Sequence, residues 1–203
     1  VLAKGVNIVL KAVPSKTTMP ILECILIDAS NGKIKLTAND MELGIETEIE
    51  GEIIHDGIVA LNAKIFSEIV RKLPDSDVNI DTEDGVQTII TCEKAKFNIA
   101  GKDGEDFVAL PEIEKTHFIT LSQFSLKEII RQTIFSISDN ESNRMMSGEL
   151  LQIDQDQLRL VSLDGQRISI RKISLKESYD PIKAVIPGKT LNEISKILSG
   201  DMD

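Results

Sequence analysis

Leu2–Val13 reads LAKGVNIVLKAV and, 124 positions later, Leu126–Ile137 reads LKEIIRQTIFSI. Leu2, Val6, Val9, Leu10 and Val13 fall on Leu126, Ile130, Thr133, Ile134 and Ile137, so one helical apolar face is written almost twice over. The register continues without a gap: Ile21, Leu22, Leu26, Ile34, Leu36 and Asp40 meet Met145, Met146, Leu150, Leu158, Leu160 and Asp164. With one residue added, Lys64, Glu68, Ile69, Arg71 and Leu73 meet Lys189, Glu193, Ile194, Lys196 and Leu198. A match this long means one fold used twice.

Each copy reads as a helix, several short strands, a second helix and further strands. The spacing predicts helices over Leu2–Val13, Ala63–Leu73, Ser125–Ile137 and Lys189–Leu198, with Ser125 as the cap of the third and Pro187-Gly188 ahead of the fourth. Alternating runs such as Ile25–Ala29, Lys33–Ala38, Val86–Cys92 and Leu158–Ser162 read as strands. Asn31-Gly32, Asp84-Gly85 and Asp164-Gly165 supply hairpin turns. The fold class is therefore α+β: antiparallel sheets with two helices per copy on one face. A polar linker within Gly101–Thr116 divides the chain into domains 1–108 and 109–203. A strand at His117–Leu121 precedes the first helix of copy two and has no counterpart before Leu2, and the strands Val78–Asp81, Val86–Cys92 and Ala95–Ala100 have no counterpart after Leu198. The sequence thus reads as a window on a longer repeat protein, the first domain without its first strand and the second without its last strands.

The 203 residues can bury a core without staples, and 41% hydrophobic with 28% charged residues is globular composition. No run approaches the ~20 apolar residues of a membrane span and no leader pattern opens the chain, which makes the cytoplasm the expected compartment. Cys24 and Cys92 lie in strand-like runs without zinc spacing and are expected to be buried thiols. His55 and His117 sit in polar, turn-like surroundings and are expected at the surface. No phosphate loop, dinucleotide fingerprint, nucleophile elbow or metal motif is present, so neither a cofactor nor a catalytic centre is expected.

The net charge of −10 argues against a uniformly basic surface, yet its distribution is uneven. Residues 1–22, 61–73, 122–137 and 187–198 hold ten Lys or Arg against three Glu, leaving thirteen basic and thirty acidic residues elsewhere. Lys4 with Lys11, Lys64 with Arg71, and Lys189 with Lys196 are each seven apart, and Lys127 and Arg131 one turn apart. A solvated helix face explains any one of these. Four helices agreeing against an acidic background point to a surface that faces a polyanion, and with few aromatics the contact is with phosphate and independent of base sequence.

Three motifs then resemble a known family, the bacterial sliding clamp, the β subunit of DNA polymerase III. Thr18-Met19-Pro20-Ile21-Leu22 looks like its "TLPIL" element, and Leu158–Ile170, LRLVSLDGQRISI, resembles its "LRTVATDGHRLAV". Ile186-Pro187-Gly188-Lys189 resembles the entry to the second helix of its domain two. The resemblance implies three such domains per subunit and a head-to-tail homodimer that closes as a ring around double-stranded DNA. It implies DNA contacts at Lys16 and Lys64, which fall at family arginines. Asn140, Arg144 and Met145 match a loop that meets single-stranded template, where the family can hold a polar residue and two tyrosines; Asn140 and Arg144 can still contact phosphate, whereas Met145 does not replace a phenol. It also implies a pocket for the short peptide tails of polymerase and clamp-loader subunits, carried over as Met146, Leu163, Gly165, Gln166, Arg167 and Ile168. Met adapts to varied apolar anchors, which suits such a pocket.

On this reading the function is that of a processivity factor, a non-catalytic subunit of the DNA-directed DNA polymerase III holoenzyme. An enzymatic reading would rest on Asp40 and Asp164, and neither has a base, a nucleophile or a second ligand nearby in sequence. The competing reading is a β-rich protein-binding scaffold without DNA contact, which leaves the basic helix faces without a purpose.

Overall fold

The structure, a computed structural model, describes residues 1–83, 86–114, 116, 118–139, 143 and 145–200. Asp84-Gly85, His117, Asn140 and Arg144 lie outside the described residues. The chain divides into two compact units, Val1–Glu112 and Ile113–Asp203.

In the first unit α1 (Leu2–Val9) precedes β1 (Cys24–Asp28), β2 (Ile34–Asn39), β3 (Gly44–Ile49) and β4 (Ile58–Asn62). Then come α2 (Ala63–Lys72), β5 (Asn79–Glu83), β6 (Gln87–Cys92), β7 (Ala95–Ala100) and the short β8 (Lys102–Asp103). The strands form two antiparallel sheets, one in the order β3-β2-β1-β4-β8 and one in the order β5-β6-β7. Asn31 and Gly32 both take positive φ, 56° and 71°, as the tight turn between β1 and β2 requires. The helices α1 and α2 lie against each other and against the sheet, with Val6, Val9, Ile25, Leu36, Leu61, Phe66 and Ile90 fully buried among them. A Cβ on Gly5 would stand 2.6 Å from Ile49 Cγ2, so glycine lets α1 seat on β2 and β3.

The second unit holds α3 (Gln123–Arg131), β9 (Gly148–Leu163), β10 (Ile168–Pro187) and α4 (Gly188–Ile197). β9 and β10 pair antiparallel from Leu163↔Ile168 to Gly148↔Pro187, with irregularities between Ser174 and Ile182. Its core is Ile129, Ile130, Ile153, Leu158, Leu160, Leu175 and Leu191.

Three expectations are corrected. The helices over Leu2–Val13 and Ser125–Ile137 are each split: α1 passes into a 3-10 turn at Leu10–Ala12, and α3 stops before one at Ile134–Ser136. Those turns lie 124 residues apart, so the break is part of the repeat. In copy one Pro14 forces Val13 into extended backbone (ψ 124°); in copy two Thr133 leaves helical geometry at φ −125°. The cap of α3 is Ser122, whose Oγ accepts from Ser125 N at 3.1 Å, so the helix begins at Gln123. Residues 118–121 join no ladder; the Tyr179 hydroxyl accepts from Thr120 N at 3.0 Å instead, while Ile119 and Leu121 pack on the second core. Cys24 and Cys92 are buried free thiols. Burial pushes both up; for Cys92 the acids Glu93 and Asp77 add to it.

Candidate nucleic-acid interface and peptide pocket

The helix starts carry an unusual charge pattern. None of the four has an acidic residue in its first turn, although the positive end of the helix dipole favours one there. Instead Lys4 stands in the first turn of α1, Lys64 in that of α2 and Lys189 in that of α4. A cation at this end forgoes roughly 0.3–1 kcal/mol of favourable dipole interaction, and it adds to the field that draws an anion. Lys4, Lys16, Lys64, Arg71, Arg131, Lys189 and Lys196 are exposed; Lys11, on the 3-10 turn, and Lys127 are half-buried.

The structure separates these cations by what holds them. In the second unit Arg131 grips Glu128 through two bonds, Nε to Oε1 at 2.9 Å and Nη2 to Oε2 at 2.8 Å. Their mutual hydrogen bond holds the Glu128 carboxyl below its ordinary range. Lys196 Nζ lies 2.6 Å from Glu193 Oε1. Lys127 does not stand out as a surface cation: its Nζ donates to Leu198 O at 3.1 Å, closing the carboxyl end of α4 from α3. In the first unit Lys4, Lys16, Lys64 and Arg71 carry no ion pair among the described residues. Asn140 and Arg144 lie outside the described residues, and Met145 is 76% exposed.

The second candidate site gathers at the turn between β9 and β10. Leu163 and Ile168 are directly paired across the ladder, and both are exposed, 36% and 59%. Two residues on, Val161 pairs with Ile170, which is 53% exposed. Side chains at i and i+2 share a face, so Ile170 extends the apolar stripe; its period-two spacing from Ile168 was a usable signal. Ile168 is therefore not a core residue. Gly165 takes φ 89°, and Gly165, Gln166 and Arg167 are exposed. Met146 is half-buried in the turn before β9, its carbonyl accepting from Ser138 N at 2.8 Å.

Asp164 organises this turn. Its Oδ1 accepts from Gln166 N and Arg167 N, each at 3.0 Å, and its Oδ2 from Arg167 Nε at 2.8 Å. In copy one Asp40 Oδ1 accepts from Glu42 N at 3.0 Å and Leu43 N at 2.7 Å. The two matched aspartates thus bind backbone at the same bend, and among the described residues no cluster of three His, Cys, Asp or Glu could hold a metal.

The family model for the DNA polymerase III β subunit, N-terminal domain, matches residues 1–111, and that for the central domain of the same subunit matches residues 120–203. The chain belongs to the DNA polymerase III β-subunit family. Among its relatives, the beta sliding clamp of Bacillus subtilis is 39% identical over 100% of this chain and 56% of its own length. That of Halalkalibacterium halodurans is 38% identical over 98% and 55%. A crystal structure of a DNA polymerase III β subunit from Eubacterium rectale superposes with a TM-score of 0.97 at 65% identity, covering all of this chain and 55% of that one. The Bacillus subtilis DNA polymerase sliding clamp gives 0.94 at 38%, covering 100% and 56%. The chain thus spans a little over half the length of these β subunits. As a β-subunit chain it has the family's antiparallel sheets and helix pairs, and among its described residues no helix is long and apolar enough to cross a membrane.

Proposed function

We propose that this chain is the part of a sliding clamp that supplies two of its DNA-facing helix pairs and one wall of its peptide pocket. The observation that carries the reading is the cationic first turn of three helices, each placed where intrahelical electrostatics disfavours it, in a protein whose net charge is −10. Such a surface suits the phosphates of double-stranded DNA without reading bases, and the contacts are weak enough to slide. Lys4, Lys16, Lys64 and Arg71 are its members without an ion pair among the described residues; Arg131 and Lys196 join by exchanging a carboxylate for a phosphate. Lys11, Lys189, Asn140, Arg144 and Met145 complete the proposed set.

On the same reading the complete protein is a head-to-tail homodimer, a ring in the cytoplasm that adds no chemistry of its own and tethers polymerase and clamp-loader subunits by their peptide tails. Met146, Leu163 and Ile168 take the apolar anchors, with Gly165, Gln166 and Arg167 at the turn beside them. Replacing Leu163 or Met146 with Asp in the complete protein lines the seat with a charge. Tail-peptide affinity then falls by about 2 kcal/mol or more while the circular dichroism spectrum is retained. Undiminished affinity in the titration removes the pocket assignment and leaves the DNA surface to stand alone.

A further inference from the structure

The shift of 124 residues also sets Val9 against Thr133, Ala12 against Ser136, Ile25 against Glu149 and Ala38 against Ser162. All eight are buried, none more than 1% exposed. The ladders confirm the match, since Ile25 pairs with Leu61 across β1 and β4, and Glu149 with Ile186 across β9 and β10. One seat is therefore filled with hydrocarbon in the first unit and with four polar side chains, one of them ionisable, in the second.

The hydrogens in this cluster can be counted. Thr133 Oγ1 lies 2.6 Å from Glu149 Oε2 and 2.8 Å from Ile129 O. A hydroxyl has one hydrogen, and a backbone carbonyl only accepts. With Glu149 ionised, both short contacts compete for that hydrogen. With Glu149 protonated, its O–H donates to Thr133 Oγ1 and Thr133 donates to Ile129 O, so each contact is a bond. The other oxygen, Oε1, is buried without a partner among the described residues, a smaller cost for a carboxylic acid than for half of a carboxylate. Ser162 Oγ donates to Thr133 O at 2.5 Å and fixes the threonine backbone from β9.

Among the described residues no neighbouring charge offsets an ionised Glu149: half-buried Arg159 on β9 bonds Gln152, and Glu193 on α4 pairs with Lys196. On α3, Glu128 and Arg131 pair with each other and Lys127 is turned to Leu198; on β10, Arg171, Lys172 and Lys183 are exposed, as are Lys189 on α4 and Asp154 on β9. Burial pushes the Glu149 carboxyl up to about 7, against the downward pull of a hydroxyl that donates to it; a proton on Glu149 reverses that bond and removes the pull.

We infer that Glu149 is a neutral carboxylic acid in the folded protein, donating to Thr133 Oγ1, and that its ionisation is a pH-dependent release of the end of α3 from the start of β9. The latch sits at the base of the segment that carries Met146, whose carbonyl Ser138 holds. Because the folded group binds its proton more tightly than the unfolded one, the stabilisation is complete below about 4.5 and is lost as pH rises through about 7.

The test uses the whole chain with its glutamate carboxyl carbons labelled with carbon-13, titrated by NMR from pH 4 to 8.5. One glutamate signal should move near neutrality and be missing in Glu149→Gln and in Glu149→Ile, the second variant restoring the residue of the first copy. In parallel, hydrogen exchange corrected for its intrinsic rate should quicken on the order of a hundredfold between pH 5 and 8 over residues 129–151. The matching residues 5–27 should stay level, and Glu149→Gln, whose amide donates to Thr133 as the acid does, should flatten the dependence. If every glutamate titrates below pH 5.5, or the Gln variant keeps the wild-type profile, the latch does not exist.

Discussion

At the scale of single residues, Asp164 has its work defined by what it accepts. The hydrogen bond from Gln166 N, joined by those from Arg167 N and the Arg167 side chain, holds its carboxyl below the ordinary 3.8 against the upward push of burial. A depressed folded value means the stabilisation is present above the unfolded value and is lost as pH falls through the folded one. Asp164→Ala should therefore unfold at lower denaturant than the parent at pH 7, with the gap closing as the pH drops below about 4. A gap that widened in acid would mean that another group governs the turn. The buried thiols give a plainer expectation: a thiol reagent at pH 8 should modify neither Cys24 nor Cys92 until the chain is denatured, because burial both shields the sulfurs and withholds the thiolate.

At the scale of elements, side-chain caps start α2 and α3, and an apolar stripe runs along each of the four helices. Asn62 Oδ1 accepts from Ile65 N at 3.1 Å and starts α2; Asn62→Ala should cost about 1 kcal/mol in a denaturant titration. Phe66, fully buried on the same helix, should cost about 3–5 kcal/mol as Ala, whereas Ile65, 49% exposed, should cost far less. The stripe was legible because Leu2, Val6 and Val9 repeat at helical spacing, and the strands because they alternate around turn residues. The end of α3 was not legible. Thr133 continues the apolar register on paper, and only the structure reveals that its hydroxyl turns back to Ile129 O, at a position where the helix stops. Glu149 was hidden for a similar reason. Beside Gly148, and followed by Leu150 and Leu151, it reads as the outward member of a strand, while in the ladder it points into the core. At the pocket the turn was legible from Asp164-Gly165, and the exposure of Ile168 was not, since an isoleucine in an alternating strand fits either face.

At the scale of the whole molecule, the distribution of charge decides how the proposed DNA surface responds to mutation. Each phosphate neutralised releases counterions, so the logarithm of affinity falls with the logarithm of salt by about 0.9 per contact on duplex DNA. In the complete protein Lys16→Glu with Lys64→Glu should weaken association for all sequences alike and flatten that slope by about one unit per lost contact. The paired cations predict the opposite sign. Arg131 is bound by Glu128 and Lys196 by Glu193, so each now spends its charge on a neighbour. Glu128→Gln with Glu193→Gln frees both without touching the helix cores. Exposed pairs of this kind are weak, so the gain should be modest, up to about fivefold in affinity for each freed cation, with a steeper salt dependence. Fluorescence anisotropy on one random-sequence duplex, read at several salt concentrations, measures both double variants against the parent. If the Glu variants bind less tightly than the parent, those carboxylates position the surface instead of competing for it. If neither pair of substitutions alters the slope, the helical cations are ordinary solvated surface, and any DNA contact must be sought elsewhere in the complete protein.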